Sequence, residues 1–239
     1  MRLDKYLNDC MALGRSTARN DIRNGAVSVN GTVIIKPETA VTPGKDIVCY
    51  KDSELRYHEY RYYMMNKPAG LVSARTDNRS KTIIDLMPEN LRDKIAPIGR
   101  LDKDTEGLII ITDDGSLTHD LISPSKHVFK KYYCELENDI NDEDMHRLES
   151  GVDIGDDMIT LPAKAEYIGD SKNKIYLSIC EGRFHQVKRM LFAVDNEVTY
   201  LKRVSIGKLA LDHSLGKGEF RMLRDDELLL LKPSGERDL

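Results

Sequence analysis

Long apolar runs are missing from this sequence of 239 residues. The longest, Leu108-Ile109-Ile110-Ile111, is strand-sized, far short of the roughly 18 residues that cross a membrane. The start, Met1-Arg2-Leu3-Asp4-Lys5, has no apolar stretch of the signal-peptide kind, so a cytoplasmic protein without membrane contact is expected. Cysteines are few: Cys10, Cys49, Cys134 and Cys180, none in Cys-x-x-Cys spacing. A structural zinc site or a disulfide framework is therefore disfavoured, and four small hydrophobes are expected instead. A P-loop, a dinucleotide fingerprint and a metal-ligand cluster are lacking as well, so no cofactor and no metal are expected. Internal repeats and low-complexity segments are also absent.

What is there suits a well-solvated globular chain: 40% hydrophobic and 32% charged residues. The length suits one large domain, or one ordinary domain with a small companion. The net charge of −4 looks unfavourable for a polyanion partner, but it is unevenly placed. Residues 137–157 hold nine acids against Arg147 alone, which leaves the remainder net basic. Local field decides polyanion binding, so nucleic acid stays open.

The first fifty residues read as a unit. Leu3, Tyr6, Leu7, Cys10 and Met11 fall on one helical face, and Gly14 ends that helix. Ser16 or Thr17 can cap a second helix that stops at Gly25. Val27 and Val29 then alternate, Asn30-Gly31 supplies a type I′ turn, and Val33 and Ile35 return as a hairpin. The polar stretch 51–59 reads as a linker. Residues 60–232 read as strands with a few helices: Tyr62–Met65, Leu108–Thr112, Lys131–Glu137 and Lys174–Cys180 as strands. Asn141 can cap an acidic helix reaching about Glu149. Phe184, Val187, Met190, Leu191 and Val194 read as the inner face of another helix, and 233–239 as a tail. The expected fold is α+β: a small N-terminal α/β-hairpin domain (1–50) joined to a larger mixed, mainly antiparallel sheet with flanking helices.

Arg15, Arg19 and Arg23 recur every four residues, near Arg2 and Lys5, as would suit successive phosphates; a solvated face is the plainer account of such a stripe. In the larger part, Ile98-Gly99-Arg100-Leu101-Asp102-Lys103-Asp104-Thr105-Glu106-Gly107-Leu108 crowds ionisable groups just before a buried strand. A surface loop, a carboxylate pair or a divalent-metal set made of Asp102, Asp104 and Glu106 are all compatible with that composition. On a helix, His185, Lys188 and Arg189 would share a polar face opposite Val187 and Met190.

The order of these residues carries more than their composition. The segment 1–50, with its arginine helix, Val-Ser-Val-Asn-Gly hairpin and closing Pro43-Gly44 turn, resembles the S4 RNA-binding domain. Arg100-Leu101-Asp102-Lys103-Asp104-Thr105-Glu106-Gly107-Leu108 resembles the first motif of pseudouridine synthases. Phe129-Lys130-Lys131-Tyr132-Tyr133 resembles the second motif, and Glu181-Gly182-Arg183-Phe184-His185-Gln186-Val187-Lys188-Arg189-Met190 the third. Lys67-Pro68-Ala69-Gly70 and the segment 216–223 are similar to the family too.

The resemblance implies an enzyme that isomerises uridine in RNA, with Asp102 as the essential aspartate, Tyr132 packing in the site and Lys188 paired with Asp102. It implies an RNA surface formed by Arg2, Lys5, Arg15, Arg19, Arg23, Arg100, Arg183, His185 and Arg189. Arg100 would hold the flanking backbone or fill the gap left by a flipped base. The likeness is greatest to the branch acting on ribosomal RNA, so the expected partner is 16S rRNA, free or in an assembling small subunit, met by a monomer. A large-subunit rRNA target and a catalytically silent RNA-binding or ribosome-assembly protein stay open as alternatives.

Overall fold

The apolar spacing at the N-terminus does form helices. In the computed structural model, which describes residues 1–11, 13–55, 57 and 59–231, α1 runs Leu3–Met11 and α2 runs Arg15–Arg23. The chain divides into two compact units, Met1–Arg61 with Met87–Lys94, and Tyr62–Leu86 with the chain from Ile95 onward. In the first unit the helices accompany an antiparallel sheet of order β2-β1-β3-β4, made of β1 (Val27–Val29), β2 (Thr32–Val33), β3 (Val48–Tyr50) and β4 (Ser53–Leu55). Its core is Leu3, Tyr6, Leu7, Ala18, Ile22, Val27, Val41 and Val48. Asn30 and Gly31 take φ of 49° and 82°, the type I′ geometry read from Asn-Gly.

Two expectations change here. Gly14 rather than Ser16 or Thr17 stands at the N-cap of α2, with extended backbone and no side-chain cap. The Ala18 N–H donates to the Gly14 carbonyl, so the first helical turn is already closed before either hydroxyl could cap it. Part of the stretch read as a linker is a strand: Lys51 and Asp52 both adopt positive φ and turn the chain back, so that Ser53–Leu55 pairs with Val48–Tyr50. Composition hid this strand because two of its three residues are exposed. The short helix α3 (Glu89–Arg92) belongs to this unit and buries Leu91.

The second unit is built on β5 (Tyr62–Lys67), β6 (Ala96–Pro97), β7 (Glu106–Thr112), β8 (Lys130–Leu136), β9 (Lys164–Ile168), β10 (Ser171–Ile179), β11 (Val198–Ile206), β12 (Leu209–Ala210) and β13 (Phe220–Met222). The sheet order is β13-β5-β7-β11-β8-β10-β9, with β12 on β11 and β6 on β7. Every pairing is antiparallel except β7 with β11. All seven residues of β7 are buried, as a central strand with apolar contacts on both faces requires. Its helices are α4 (Gly115–Ile122), α5 (Asp142–Ser150), α6 (Gln186–Phe192) and α7 (Asp225–Leu231). Asn141 caps α5 by accepting from Asp144 N–H, and the acids of the first turn suit the helix dipole. Cys134 and Cys180 are buried and Cys10 and Cys49 half-buried. The tail expected at 233–239 lies outside the described residues. Among the described residues no helix is long and apolar enough to cross a membrane.

Gly107 is where β7 and β11 come closest. Its φ is +104°, and a Cβ there would stand 2.2 Å from the Arg203 carbonyl oxygen and 2.8 Å from its nitrogen. Backbone cannot yield as a side-chain tip can. Gly107→Ala should therefore lose about 2–5 kcal/mol from combined φ strain and overpacking, read as a lower urea midpoint; an unchanged midpoint would contradict this account of the junction.

Candidate active site

The charged segment before β7 is not a loose surface loop. Lys67, at the end of β5, is fully buried and its ammonium donates to four backbone carbonyls: Pro68 and Asp102 at 3.0 Å, Lys103 at 3.3 Å and Thr105 at 2.8 Å. The Gly70 N–H donates to the Lys103 carbonyl as well, at 2.7 Å. Ser73 brackets Leu101, donating to its carbonyl at 2.9 Å and accepting from its N–H at 3.1 Å. The Lys-Pro-Ala-Gly turn and the 101–105 loop thus hold one another, and the loop backbone is fixed before any side chain is considered. Burial pushes the Lys67 ammonium down to about 8, while Asp104, Asp102 and Glu106 pull the other way.

Three carboxylates leave this loop, each to a different destination. Glu106 is buried and accepts from Tyr200 Oη at 2.7 Å and Lys217 Nζ at 2.8 Å. Burial alone would raise it, but those two donors hold it below the usual carboxylate range. Asp104 takes both its oxygens to Lys188 Nζ, at 2.7 and 2.8 Å, and that hydrogen bond lowers it. Asp102 is left with two looser neighbours, Lys188 Nζ at 3.5 Å and His185 Nε2 at 3.6 Å. Lys188 therefore stands beside Asp102 as expected, but its closest partner is Asp104. A shared metal set of Asp102, Asp104 and Glu106 does not suit this arrangement, because two of the three carboxylates already answer to separate lysines.

His185 and Lys188 are delivered by a turn that bonds to itself. Glu181 Oε1 accepts from Gln186 Nε2 at 2.8 Å, Gln186 Oε1 accepts from the Arg183 N–H at 2.9 Å, and Arg183 Nε donates to Glu181 Oε2 at 3.1 Å. The chain then enters α6 through His185 in the left-handed region, φ 47°. His185 is thus the N-cap of the helix, not part of its polar face. Phe184 is not on an inner face either: it is 74% exposed. The tight Glu181–Gln186 turn breaks the helical period two residues before the helix begins, so the spacing that assigned Phe184 to the core does not apply there.

Arg183 and Arg189 have protein partners. Arg183 donates to the Met158 and Ile159 carbonyls, and Arg189 to the Ile154 carbonyl and Asp156. Together they pin the 154–159 segment to the start of α6, which gives Asp156 of the acidic stretch a definite task. Arg100 is exposed. Tyr132 is buried on β8, level with the site: Arg203 of β11 is paired with Gly107 on one side and with Tyr132 on the other. Arg203 itself is buried, donates from Nε to the Leu108 carbonyl at 2.7 Å, and has no acceptor at Nη2 among the described residues.

Comparison with known proteins shows the family. The family model for RNA pseudouridylate synthase matches residues 61–193, and that for the S4 domain residues 1–47. The chain belongs to the RNA pseudouridylate synthase family. It is a pseudouridine synthase with an N-terminal S4 domain. An uncharacterized RNA pseudouridine synthase of Bacillus subtilis, YtzG, is 46% identical over 97% of this chain and 98% of its own. Ribosomal small subunit pseudouridine synthase A of Escherichia coli K12 is 36% identical over 95% and 98%. A crystal structure of a pseudouridylate synthase superposes with a TM-score of 0.69 at 35% identity, covering 97% of this chain and 100% of that one.

Within the S4 unit the arginines divide. Arg2 and Arg19 both donate to the buried Asp4, at 2.9–3.0 Å. Burial would raise that carboxyl, but the two guanidiniums hold it below its ordinary range. Arg2, Lys5, Arg15, Arg19 and Arg23 are all exposed, but Lys5, Arg15 and Arg23 have no side-chain partner among the described residues.

Sequence reasoning missed the Lys67 hub, the Glu181–Gln186 lock and Arg203. The Lys67-Pro68-Ala69-Gly70 resemblance marked the place of the first but not its role, which depends on carbonyls 35 to 38 positions away. Lys67→Met should leave several loop carbonyls unpaired at a cost of about 2–5 kcal/mol and abolish turnover even well below its melting temperature. A stable Met variant with wild-type rate would show that the loop holds itself.

Proposed function

We propose that this enzyme isomerises one uridine of 16S ribosomal RNA, with Asp102 as the essential carboxylate. The observation that carries the reading is the placement of Asp102: its backbone is tied down by Lys67 and its carboxylate faces Lys188 and His185 without a close partner. A carboxylate held by hydrogen bonds on every side is a poor nucleophile or base, and one without any cation would be costly in a closed site. Asp102 lies between these limits. Asp104 and Glu106 are each committed to a lysine and do not compete for the role.

The reaction breaks the N1–C1′ bond of uridine, turns the base and rejoins it through C5; C5 loses its proton and N1 gains one, so the product is an isomer. It needs no net redox change and no nucleotide energy. Asp102 acts on the sugar or the base, Lys188 is its counter-charge, relayed with Asp104, and Tyr132 packs against the turning base and keeps water out. The target nucleotide must first leave its stack, at a cost of a few kcal/mol supplied by contacts elsewhere. That task falls to the S4 unit, whose exposed Lys5, Arg15 and Arg23 meet the phosphates of a structured element. Arg2 and Arg19 serve mainly to neutralise Asp4. The small-subunit target is supported by the full-length likeness to the Escherichia coli relative. On this reading the protein acts as a monomer in the cytoplasm.

The test is pseudouridine mapping by carbodiimide primer extension of rRNA from cells in which Asp102→Ala replaces the wild type. Loss of a single 16S site is the expected result. Loss of a 23S site would move the target to the large subunit, and no loss at all, with the variant folded, would leave a silent RNA-binding protein. A second expectation concerns the S4 unit: Arg15→Glu and Arg23→Glu should each weaken rRNA binding and lower the salt slope by about one. Arg19→Ala should act mainly on stability, through Asp4; equal binding losses at all three positions would erase that division.

A further inference from the structure

We infer that Phe184 is the ring on which the RNA base neighbouring the target uridine stacks, closing the gap that the flipped nucleotide leaves. The inference rests on the reading of Asp102 as the reacting carboxylate and deepens it. Phe184 lies against His185 with ring centroids 3.8 Å apart and planes 18° from parallel, and His185 Nε2 lies 3.6 Å from Asp102. Two stacked rings therefore lead outward from the carboxylate, and the outer one is 74% exposed.

A single exposed apolar side chain is ordinary. Phe184 differs in how firmly its backbone is held. The residue before it, Arg183, is bonded through its side chain to Glu181 and to the Met158 and Ile159 carbonyls, and through its N–H to Gln186. The residue after it is the left-handed cap of α6, an uncommon conformation for a non-glycine residue. A ring fixed in this way loses little freedom on stacking. The side chains of Met158 and Ile159, whose backbone carbonyls Arg183 holds, are exposed.

The chemistry favours a nucleobase over a protein side chain as the occupant. The Phe184 ring borders a site flanked by Lys188, His185 and Arg183, which suits a polyanion whose bases are apolar on their faces. A uridine turned out of a helical stack leaves its neighbour with one bare face, and a flat ring already stacked on a second one can replace the missing partner. Arg100 is exposed too, but it has no comparable lock on its position.

The experiment uses the full chain and protein-free total RNA from a strain lacking the gene, with single-turnover pseudouridine formation as the readout. Phe184→Ala and Phe184→Leu should each slow the reaction by about ten- to a hundredfold. Phe184→Tyr should stay within about threefold of wild type, and all three should melt with the wild type because the ring is exposed. The Phe184→Ala loss should persist in a His185→Ala background; its disappearance there would mean that the ring acts only by steadying His185, and would overturn the inference. Wild-type rates for the Ala or Leu variant would overturn it too and leave the ring to a protein partner. A wild-type protein that forms no pseudouridine either in this RNA or in small-subunit particles from the same strain would overturn the enzymatic reading beneath it, an outcome distinct from the other two.

Discussion

One buried ammonium sets the geometry of the second unit's site. Lys67 ends a strand whose other residues pack in the sheet, and its side chain reaches the carbonyls of residues 68, 102, 103 and 105. A loop carrying Asp102, Lys103, Asp104 and Glu106 has strong reasons to open: like charges repel, and each carboxylate gains by hydration. Backbone carbonyls gathered on a cation oppose that tendency without engaging any carboxylate. The side chains stay available for chemistry while the main chain is held, a separation that a salt bridge to Asp102 itself would not give. The Gly107 approach to Arg203 continues the constraint, since it fixes where the loop must enter the sheet.

From this follows a sorting of three acids by the partners within reach. Glu106 points back to Tyr200 and Lys217, Asp104 takes the short contacts to Lys188, and Asp102 keeps only the longer ones. Lys188 is a point charge with no fork to align, so it can lie against Asp104 and still influence Asp102. An arginine in its place would tend to engage one carboxylate through two parallel bonds. The lysine thus suits an arrangement in which Asp104 anchors the cation and Asp102 remains the less committed of the two.

Much of this could be read in the sequence, though unevenly. The helical face from Leu3 to Met11, the Asn30-Gly31 turn, the Asn141 cap and the buried strand at Leu108 follow from local patterns, and the structure has them. Asp102, Lys188 and His185 could be singled out because motif order carries information that composition does not, and the fold brings the three together. What could not be read depends on contacts distant in sequence. Lys67 meets residues 35 to 38 positions away, and Arg183 meets carbonyls about 25 positions away. Phe184 was misread because hydrophobic period is meaningful only inside a helix, and the Glu181–Gln186 lock ends the irregular turn just beyond it. Ser53–Leu55 was missed for the opposite reason: an exposed edge strand has no apolar alternation to betray it.

The same distinction governs how the basic residues should be counted. Arginine stripes at Arg15, Arg19 and Arg23 and at Arg183 and Arg189 invite a single interpretation as a phosphate surface. Yet Arg19 joins Arg2 on a buried aspartate, while Arg183 and Arg189 grip the 154–159 segment and Asp156. Arg183 and Arg189, whose forks are filled by carbonyls and carboxylates, have little left to offer a phosphate oxygen, whereas Arg19 engages Asp4 through Nε alone and stays exposed. Of the residues read as an RNA surface, those exposed with no side-chain partner among the described residues, Lys5, Arg15, Arg23 and Arg100, are fewer than composition implies. The acidic stretch, which looked like an obstacle to RNA, is in part what uses up the difference: Asp156 draws Arg189 onto the protein, and in doing so steadies the turn that carries Phe184, His185 and Lys188.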